Sequence, residues 1–468
     1  MHDVPGVVLT LALPWIAGAM GAAALWRGRG EGRGVLCIGY GYLLGVLATT
    51  LLLRFASLIG WRWSFSGIAA VLIVLACAGW YVAKPLPMLR RAGRRSVASL
   101  SAMPAASRAI FWLFLGLAAI NVVALLACVA WGLLMPYDAI AHWGDKSRVW
   151  YEYGRIVPFV SATDWRRLGD VRYFWDTNPG HPAAVPLLQV WTTLGMGHWD
   201  ETLMNMPWVA TLVALGFLFY AQVRRLGAGV AKAMVCTYLL LSLPFLQINV
   251  AVSGMADLFV SVAYCAAALA LWQWTRSRQW PDAALALLMV IYCAMVKNEG
   301  ILWALTLVPA ALVALHRRIG FTLLGALGAA ATLYLAFGPD ELTIMSYTVK
   351  TRLFNVATPM IDHMFVMDNW HLFWYAVIAI IAGNARRLLS PRLAPMTVTI
   401  ATGSAFVAIV YFFSSAAGGV NDESLVNRFL FQIVPALAFY LIAILQDRDP
   451  SVEVEETSSS ALPANPVL

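Results

Sequence analysis

Segments of roughly 20 mostly apolar residues recur along almost the whole chain, and this is the length a helix needs to cross the hydrocarbon core of a bilayer. Of the 468 residues, 61% are hydrophobic and only 12% are charged. A soluble domain of this size carries far more charge. The sequence therefore predicts an all-α fold, a polytopic bundle of transmembrane helices, with the lipid bilayer as its main partner.

We predict about thirteen membrane spans from these apolar segments. The stretch 183–197 is also apolar, but at about fifteen residues it is short for a full crossing, so we expect an interfacial or re-entrant helix there. Counting it as a span would also reverse the charge pattern of every later loop. The predicted spans are residues 6–26, 34–53, 65–83, 108–136, 202–222, 231–249, 255–275, 281–297, 300–315, 320–337, 371–388, 395–415 and 427–446.

Lys and Arg residues favour alternate loops, and this indicates an orientation because cytoplasmic loops are enriched in both. With the N-terminus outside, most of the 32 basic residues lie in inner loops, and most acidic residues lie outside. The net charge of +8 is therefore mainly a topology signal, and we see no basic soluble face of the kind that a nucleic-acid partner needs. The basic residues of the inner loops are Arg27, Arg29, Arg33, Lys84, Arg90, Arg91, Arg94, Arg95, Arg108, Arg224, Arg225, Lys232, Arg276, Arg278, Arg317, Arg318, Arg386, Arg387, Arg392 and Arg448.

This orientation predicts an integral protein of a plasma membrane, the inner membrane of a bacterium, with its functional face towards the periplasm or exterior. Nucleotides are not available there, so we expect a substrate that arrives already activated and attached to a lipid. We divide the chain into accessory N-terminal helices (1–107), a working module (108–446) and a disordered cytoplasmic tail rich in Ser, Glu and Pro (447–468). The module has external loops at 137–182 and 338–370, the first with amphipathic helices along the membrane.

The first external loop begins with three polar residues at helical spacing. Asp138, His142 and Asp145 follow one another at i, i+4 and i+7, so they share a face if this stretch is helical, and Lys146 borders that face. Burial raises the pKa of a carboxyl group near a membrane surface, and a neighbouring cation lowers it. A carboxylate tuned in this way suits general-base chemistry on a hydroxyl group.

Two other interpretations of the same stretch stay open. It is also typical of a solvated amphipathic helix that lies on the membrane, with Trp143 and Trp150 as interface anchors. Alternatively, Asp138, His142 and Asp145 form a site for a divalent metal ion, because carboxylate and imidazole ligands suit such ions.

Polar residues also lie at the external ends of later spans. His181 closes the first loop, either as a hydrogen-bond donor to substrate or simply beside the helix start at Pro182. Asp257 opens a span, where it either orients a basic group or only interacts with the helix dipole.

Lys297 and Glu299 lie in a tight turn between two short spans, where charged groups are costly unless they face water or each other. Lys297 is a candidate cation for a phosphate, or the segment is a plain external turn. Asn427 and Arg428 begin the last span. Arg428 either binds a phosphate through two parallel hydrogen bonds or extends to the lipid headgroups.

The order of these motifs resembles that of the GT-C membrane glycosyltransferases, in particular the branch of the protein mannosyltransferases, the aminoarabinose transferases of lipid A and the rhizobial galacturonosyltransferase-like proteins. In that branch an Asp directly after a span opens an external loop, and a His-Pro or Tyr-Pro element closes it. Gly-x-Ala-Asp, Lys-Asn-Glu-Gly and Asn-Arg elements follow. The matching segments here are 137–146, 181–182, 254–257, 297–300 and 427–428.

The resemblance implies a GT-C-like module that transfers a sugar from a polyprenyl-phosphate donor to a lipid, glycan or protein acceptor on the non-cytoplasmic face. It leaves a divalent cation, Mg²⁺ or Mn²⁺, open as a cofactor. The implied roles are catalysis by Asp138 as general base with His142 and Asp145, donor-phosphate binding by Lys146, Lys297 and Arg428, and substrate orientation by His181, Asp257, Glu299 and Asn427.

Two other functions compete with this one. A lipid-linked glycan polymerase or ligase shares the donor chemistry and differs in its acceptor. A transporter or flippase without transfer chemistry typically has ionisable residues near the middle of the bilayer and broken helices in paired repeats. The predicted spans instead carry their charges at the ends, which favours the transferase.

Overall fold

The computed structural model describes residues 3–27, 33–85, 101–170, 172–344, 347–421 and 425–447, without the side chains of Ile344 and Tyr347. It is mostly helical, with 77% of residues in helices and 3% in strands. The predicted disordered tail lies outside these residues apart from Asp447, as do the basic residues expected at 86–100, Arg90, Arg91, Arg94 and Arg95.

Helices of very different length make up the bundle. Along the chain, long helices alternate with short ones. In chain order the helices are α1 (Asp3–Leu25), α2 (Gly34–Leu58), α3 (Phe65–Ala83), α4 (Ala105–Trp131), α5 (Asp145–Tyr153), α6 (Ala162–Leu168), α7 (Ala184–Met196), α8 (Met206–Arg225), α9 (Val230–Leu241), α10 (Pro244–Ala251), α11 (Asp257–Ser277), α12 (Trp280–Val296), α13 (Glu299–Leu305), α14 (Val308–Leu315), α15 (Arg317–Phe337), α16 (Ala357–Ile361), α17 (Phe373–Gly383), α18 (Ala394–Phe413), α19 (Gly418–Asn421) and α20 (Val426–Gln446).

Within the described ranges, nine helical segments are long and apolar enough to cross a membrane, and a tenth arises if α9 and α10 count as one span bent by 62°. The chain is thus built as an integral membrane protein. The three other predicted spans, 281–297, 300–315 and 371–388, correspond to shorter apolar helices: α12, the α13–α14 pair and α17. The count of about thirteen spans therefore stays a prediction.

The short apolar segment expected at 183–197 is helix α7, and it is enclosed by protein. Residues 184–193 are all buried. The Trp191 indole donates a hydrogen bond to the Thr10 carbonyl oxygen at 2.8 Å. Helices α7 and α1 also pack closely, because a Cβ placed on Gly6 would lie 2.2 Å from the carbonyl oxygen of Gly195. In these surroundings α7 does not lie along the outer surface of the bundle.

Helices α1 to α3 pack directly on the rest of the bundle. The Tyr40 hydroxyl donates to the Ala266 carbonyl oxygen at 3.0 Å, and the Trp26 indole donates to a carboxylate oxygen of Asp282 at 3.0 Å. All three helices contribute side chains to the same buried core as α8, α11 and α20. The division into accessory helices and working module therefore does not correspond to separate cores.

The two external loops contain the strands, which the predicted all-α class did not include. In the first loop, β1 (Phe159–Val160) pairs in parallel with β2 (Phe174–Trp175). In the second, β3 (Glu341–Ile344) and β4 (Tyr347–Lys350) form an antiparallel pair. Non-helical backbone of this kind is tolerated outside the hydrocarbon core, where water satisfies its polar groups. The first loop also contains the short helices α5 and α6, as expected.

Several helix ends meet at the end of the bundle that the sequence analysis predicts to be external. Helix α4 ends at Trp131, and the chain becomes helical again at Tyr137. Helices α11 and α20 begin there, and α12 ends there, one residue before Lys297. Gly254 precedes α11 with a φ of +103°, a backbone conformation that suits glycine. The helix ends thus bring four chemistry-bearing segments together.

Labelling of single cysteines checks the orientation. In a background without native cysteines, Gly180→Cys is expected to react with a membrane-impermeant maleimide in intact cells, and Gly229→Cys only after permeabilisation. Both glycines are exposed, and a Cβ on either meets no atom within 4 Å, so the replacements should fit. Protection of position 180 together with labelling of position 229 in intact cells would reverse the orientation.

The contact between α1 and α2 depends on small residues. A Cβ on Gly18 would lie 1.9 Å from the carbonyl oxygen of Gly41, whereas a Cβ on Gly21 meets nothing within 4 Å. Gly18→Ala should therefore lower stability by about 1–3 kcal/mol through overpacking. Gly21→Ala in the same helix is the matched control, and it should be neutral or stabilising because alanine favours helix. Thermal unfolding of the purified protein in detergent compares the two.

Candidate active site

A cavity of about 480 Å³ lies where these helix ends meet the loop 137–182. It is large enough for a monosaccharide with its phosphate. Polar and charged side chains share its surface with aromatic and aliphatic ones. The residues that line it are Pro136, Tyr137, Asp138, His142, Trp143, Asn178, His181, Met255, Lys297, Asn298, Glu299, Leu302, Leu425 and Arg428.

Asp257 lies beneath this cavity and is fully buried. One carboxylate oxygen accepts from Lys297 Nζ at 3.2 Å and from Gln432 Nε2 at 2.9 Å, and the other accepts from Arg428 Nε at 2.8 Å. A carboxylate without such partners would be very costly to bury. Asp257 does not border the cavity itself, so its role is to position the two cations that do.

Both cations contact a second carboxylate at the cavity surface. Arg428 donates to Asp138 at 2.7 Å, and Lys297 Nζ lies 3.6 Å from a carboxylate oxygen of Glu299. The result is a continuous ion-pair chain, Asp138–Arg428–Asp257–Lys297–Glu299. It joins the start of the first loop, the starts of α11 and α20, and the turn between α12 and α13.

A second polar group surrounds Asp176, which the sequence analysis did not single out as a site residue. His142 Nδ1 lies 2.5 Å from one carboxylate oxygen of Asp176, and Lys146 forms an ion pair with the other. Burial pushes the pKa of Asp176 upward, but the hydrogen bonds from His142 and Lys146 outweigh it and hold that pKa well below its usual range. Asp176 therefore stays ionised and anchors both partners.

Lys146 is not among the described residues that line the cavity. It is buried, donates to the Asn178 carbonyl oxygen at 3.1 Å, and lies over the ring of Phe159 at 5.8 Å. Burial lowers the pKa of Lys146, and Asp176 opposes that shift. Lys146, which was predicted to bind the donor phosphate, thus neutralises Asp176 in this structure.

The local helix geometry separates the residues expected on one face. The helical stretch starting at Tyr137 contains a wider π-turn over Ala139–Gly144 before α5 begins at Asp145. The wider turn changes the angular position of the residues after it. As a result Lys146 turns inward beside His142, while Asp145 is exposed and outside the cavity lining.

The metal interpretation of Asp138, His142 and Asp145 does not fit this geometry. Asp138 is paired with Arg428, His142 with Asp176, and Asp145 is exposed and outside the cavity lining. In the described parts of the chain, no group of three or more His, Cys, Asp or Glu side chains is arranged to hold a metal ion. Asp138, His142 and Asp145 therefore do not form a site for Mg²⁺ or Mn²⁺.

The two remaining orienting candidates lie in different places. His181 lines the cavity, with its ring 5.2 Å from that of Trp143 and 5.9 Å from that of His142. Asn427 is absent from the lining. Its amide oxygen accepts from the Trp370 indole at 3.0 Å, and its nitrogen lies 3.0 Å from His363 Nδ1. Asn427 thus joins α20 to the second external loop.

Comparison with known proteins adds no family to this picture. No family model, curated protein or solved structure matches the chain. The interpretation of the cavity therefore rests on its own geometry and on the motifs in the sequence.

Most of the predicted site residues meet at the cavity, but two of its important partners were missed. Asp176 was treated only as one of many external acids, and Asn178 was not considered. Asp176 begins an Asx turn, in which the Asn178 backbone N–H donates to the Asp176 side chain at 3.0 Å. Turns of this kind can be recognised from the local sequence. The 34-residue separation between His142 and Asp176 has no such signal.

The ion-pair chain predicts unequal stability effects for the two carboxylates that contact Arg428, Asp257 and Asp138. Asp257→Asn should destabilise the protein by about 3–5 kcal/mol, because it removes the fully buried negative charge that Arg428 and Lys297 share. Asp138→Asn makes the same change at the other carboxylate partner of Arg428, which is partly exposed, and should cost much less. Denaturant unfolding in detergent measures both. Equal losses would contradict the central position of Asp257.

Proposed function

We propose that this chain is a membrane glycosyltransferase that moves a sugar from a polyprenyl-phosphate donor to an acceptor hydroxyl on the non-cytoplasmic face. The observation that carries the proposal is the cavity in which a carboxylate, Asp138, lies beside two cations, Arg428 and Lys297, at the ends of apolar helices. A lipid-linked donor suits this position, because its tail stays in the bilayer while its phosphate reaches the headgroup level.

The two cations bind the donor phosphate. An Arg side chain has five N–H donors, and the contacts to Asp138 and Asp257 engage its Nε and one terminal nitrogen. Arg428 and Lys297 also border the cavity. They stabilise the negative charge that grows on the phosphate oxygen as the bond to the sugar breaks, and Asp257 holds both in place for that task.

Asp138 is the general base. It takes the proton of the acceptor hydroxyl as the acceptor oxygen bonds to the anomeric carbon, and the electron pair of the broken bond leaves with the phosphate. Protonation of Asp138 weakens its ion pair with Arg428. The guanidinium then interacts more strongly with the leaving phosphate, so the base step and the leaving-group step support each other.

The other lining residues orient the substrates. His142, fixed by Asp176, and His181 present imidazole groups to the cavity, and Glu299 holds Lys297. No step in this scheme passes through a divalent cation, since the described residues do not fit one. A glycan polymerase or ligase would use the same donor half of the site with a glycan acceptor.

A transfer assay tests the proposal. Purified protein in nanodiscs is incubated with polyprenyl-phosphate sugars and candidate acceptors, and release of free polyprenyl phosphate is followed with and without chelator. Asp138→Asn should fold and bind donor, yet reduce the rate by about 10²–10⁴-fold, the usual loss for a general base. Activity above about a tenth of wild type in this variant would rule out the role of Asp138.

Glu152→Gln is the matched control, because Glu152 is an exposed acid on α5 that does not border the cavity. Its activity should equal that of wild type. If the protein in sealed proteoliposomes moves donors across the bilayer without release of polyprenyl phosphate, the chain is a transporter and the transferase proposal fails.

A further inference from the structure

The cavity surface divides into a charged part and an uncharged part. Asp138, Lys297, Glu299 and Arg428 form the charged part. The other lining residues are uncharged, and we call four of them, His142, Trp143, Asn178 and His181 of the loop 137–182, the loop wall. This division suggests that two chemically different portions of one ligand bind side by side.

The loop wall owes its lack of charge to a balance behind it. The carboxylate of Asp176 faces both His142 and Lys146, and both acid and lysine are almost fully buried. Lys146 thus compensates the negative charge of Asp176, and His142 Nδ1 lies 2.5 Å from the same carboxylate. Burial lowers the pKa of His181 to about 4, with neighbouring Glu299 acting in the opposite direction, so the His181 imidazole is neutral near pH 7.

Two polar atoms of the loop wall have no hydrogen-bond partner within the described structure. They are Nε1 of Trp143 and Nδ1 of His181, and both atoms are buried although their side chains border the cavity. The Trp143 side chain is only 1% exposed although it borders the cavity. A buried polar atom without a partner is costly, and a ligand hydroxyl group that reaches it removes that cost. Aromatic rings beside such atoms are suited to the apolar face of a sugar.

We propose that the loop wall is the sugar subsite and that it accepts an uncharged, hydroxyl-bearing sugar in preference to a uronic acid or an amino sugar. This rests on the proposed function, which places the donor phosphate at Arg428 and Lys297. A carboxylate or ammonium group on the sugar would find no compensating charge on the loop wall. An uncompensated charge in such a site is a strong means of rejecting a wrong substrate.

The first test measures kcat/KM for three short-chain polyprenyl-phosphate donors that carry an uncharged hexose, a hexuronic acid or an amino sugar. The uncharged donor should exceed both others by at least about 10-fold. Equal values, or a preference for either charged sugar, would overturn the proposal about the subsite while leaving the transferase activity established.

The second test reads binding without turnover. Saturation-transfer NMR compares hexose 1-phosphate with hexuronic acid 1-phosphate on the full-length protein in detergent micelles, and the hexose should bind more tightly. If this selectivity is present while no donor supports transfer, the proposed function fails and the sugar subsite stands. If neither phosphate sugar binds, or both bind alike, the subsite proposal fails.

Two variants locate the binding. Trp143→Phe keeps an aromatic ring but removes the indole N–H, so it should weaken hexose 1-phosphate binding by about 5-fold, the value of one hydrogen bond. Trp374→Phe is the matched control, since its Nε1 also lacks a partner among the described residues but lies away from the cavity. Asn178→Ala, at an exposed position, serves if Trp143→Phe does not fold. Unchanged binding in the folded loop-wall variant would refute the subsite.

Discussion

The ion pairs of the buried Asp257 carboxylate hold together the helix ends that surround the cavity. This carboxylate joins the start of α11 to Lys297 after α12 and to Arg428 at the start of α20, within 3.2 Å in each case. Charges at this depth are tolerated only when they compensate one another. The helix ends must therefore meet in one arrangement, and that arrangement also brings Arg428 to Asp138. The same electrostatic requirement thus shapes both the fold and the cavity.

A second carboxylate organises the first external loop in a similar way. Asp176 is reached by His142 from the π-turn and by Lys146 from α5, and both contacts are buried. Asp257 pairs with two cations that border the cavity, whereas Asp176 pairs with a lysine that does not. One buried acid therefore supports a charged surface and the other an uncharged one. The proposed donor, a sugar linked to a phosphate, would contact both surfaces.

The helical, membrane-spanning character of the chain could be predicted from the sequence, because the length of an apolar segment follows directly from the thickness of the bilayer. Asp138, Lys297 and Arg428 were also found, since each is a charged residue at the end of an apolar segment. The exposed position of Asp145 was not predictable from spacing, because the π-turn before it depends on packing within the loop. The partnership of His142 with Asp176 was missed for a related reason, since it depends on how the loop folds back on itself.

Helix α7 shows why the N-terminal helices matter to a site that contains none of their residues. It would be too short to cross a membrane, and its burial needs partners on every side. Helix α1 provides one of them through the contact between Trp191 and Thr10. On another face of α7, Gln189 accepts a hydrogen bond from Ser147 at 2.5 Å, and Ser147 is adjacent to Lys146 in α5. The N-terminal helices thus support α7, α7 supports α5, and α5 supplies the lysine that keeps the loop wall uncharged.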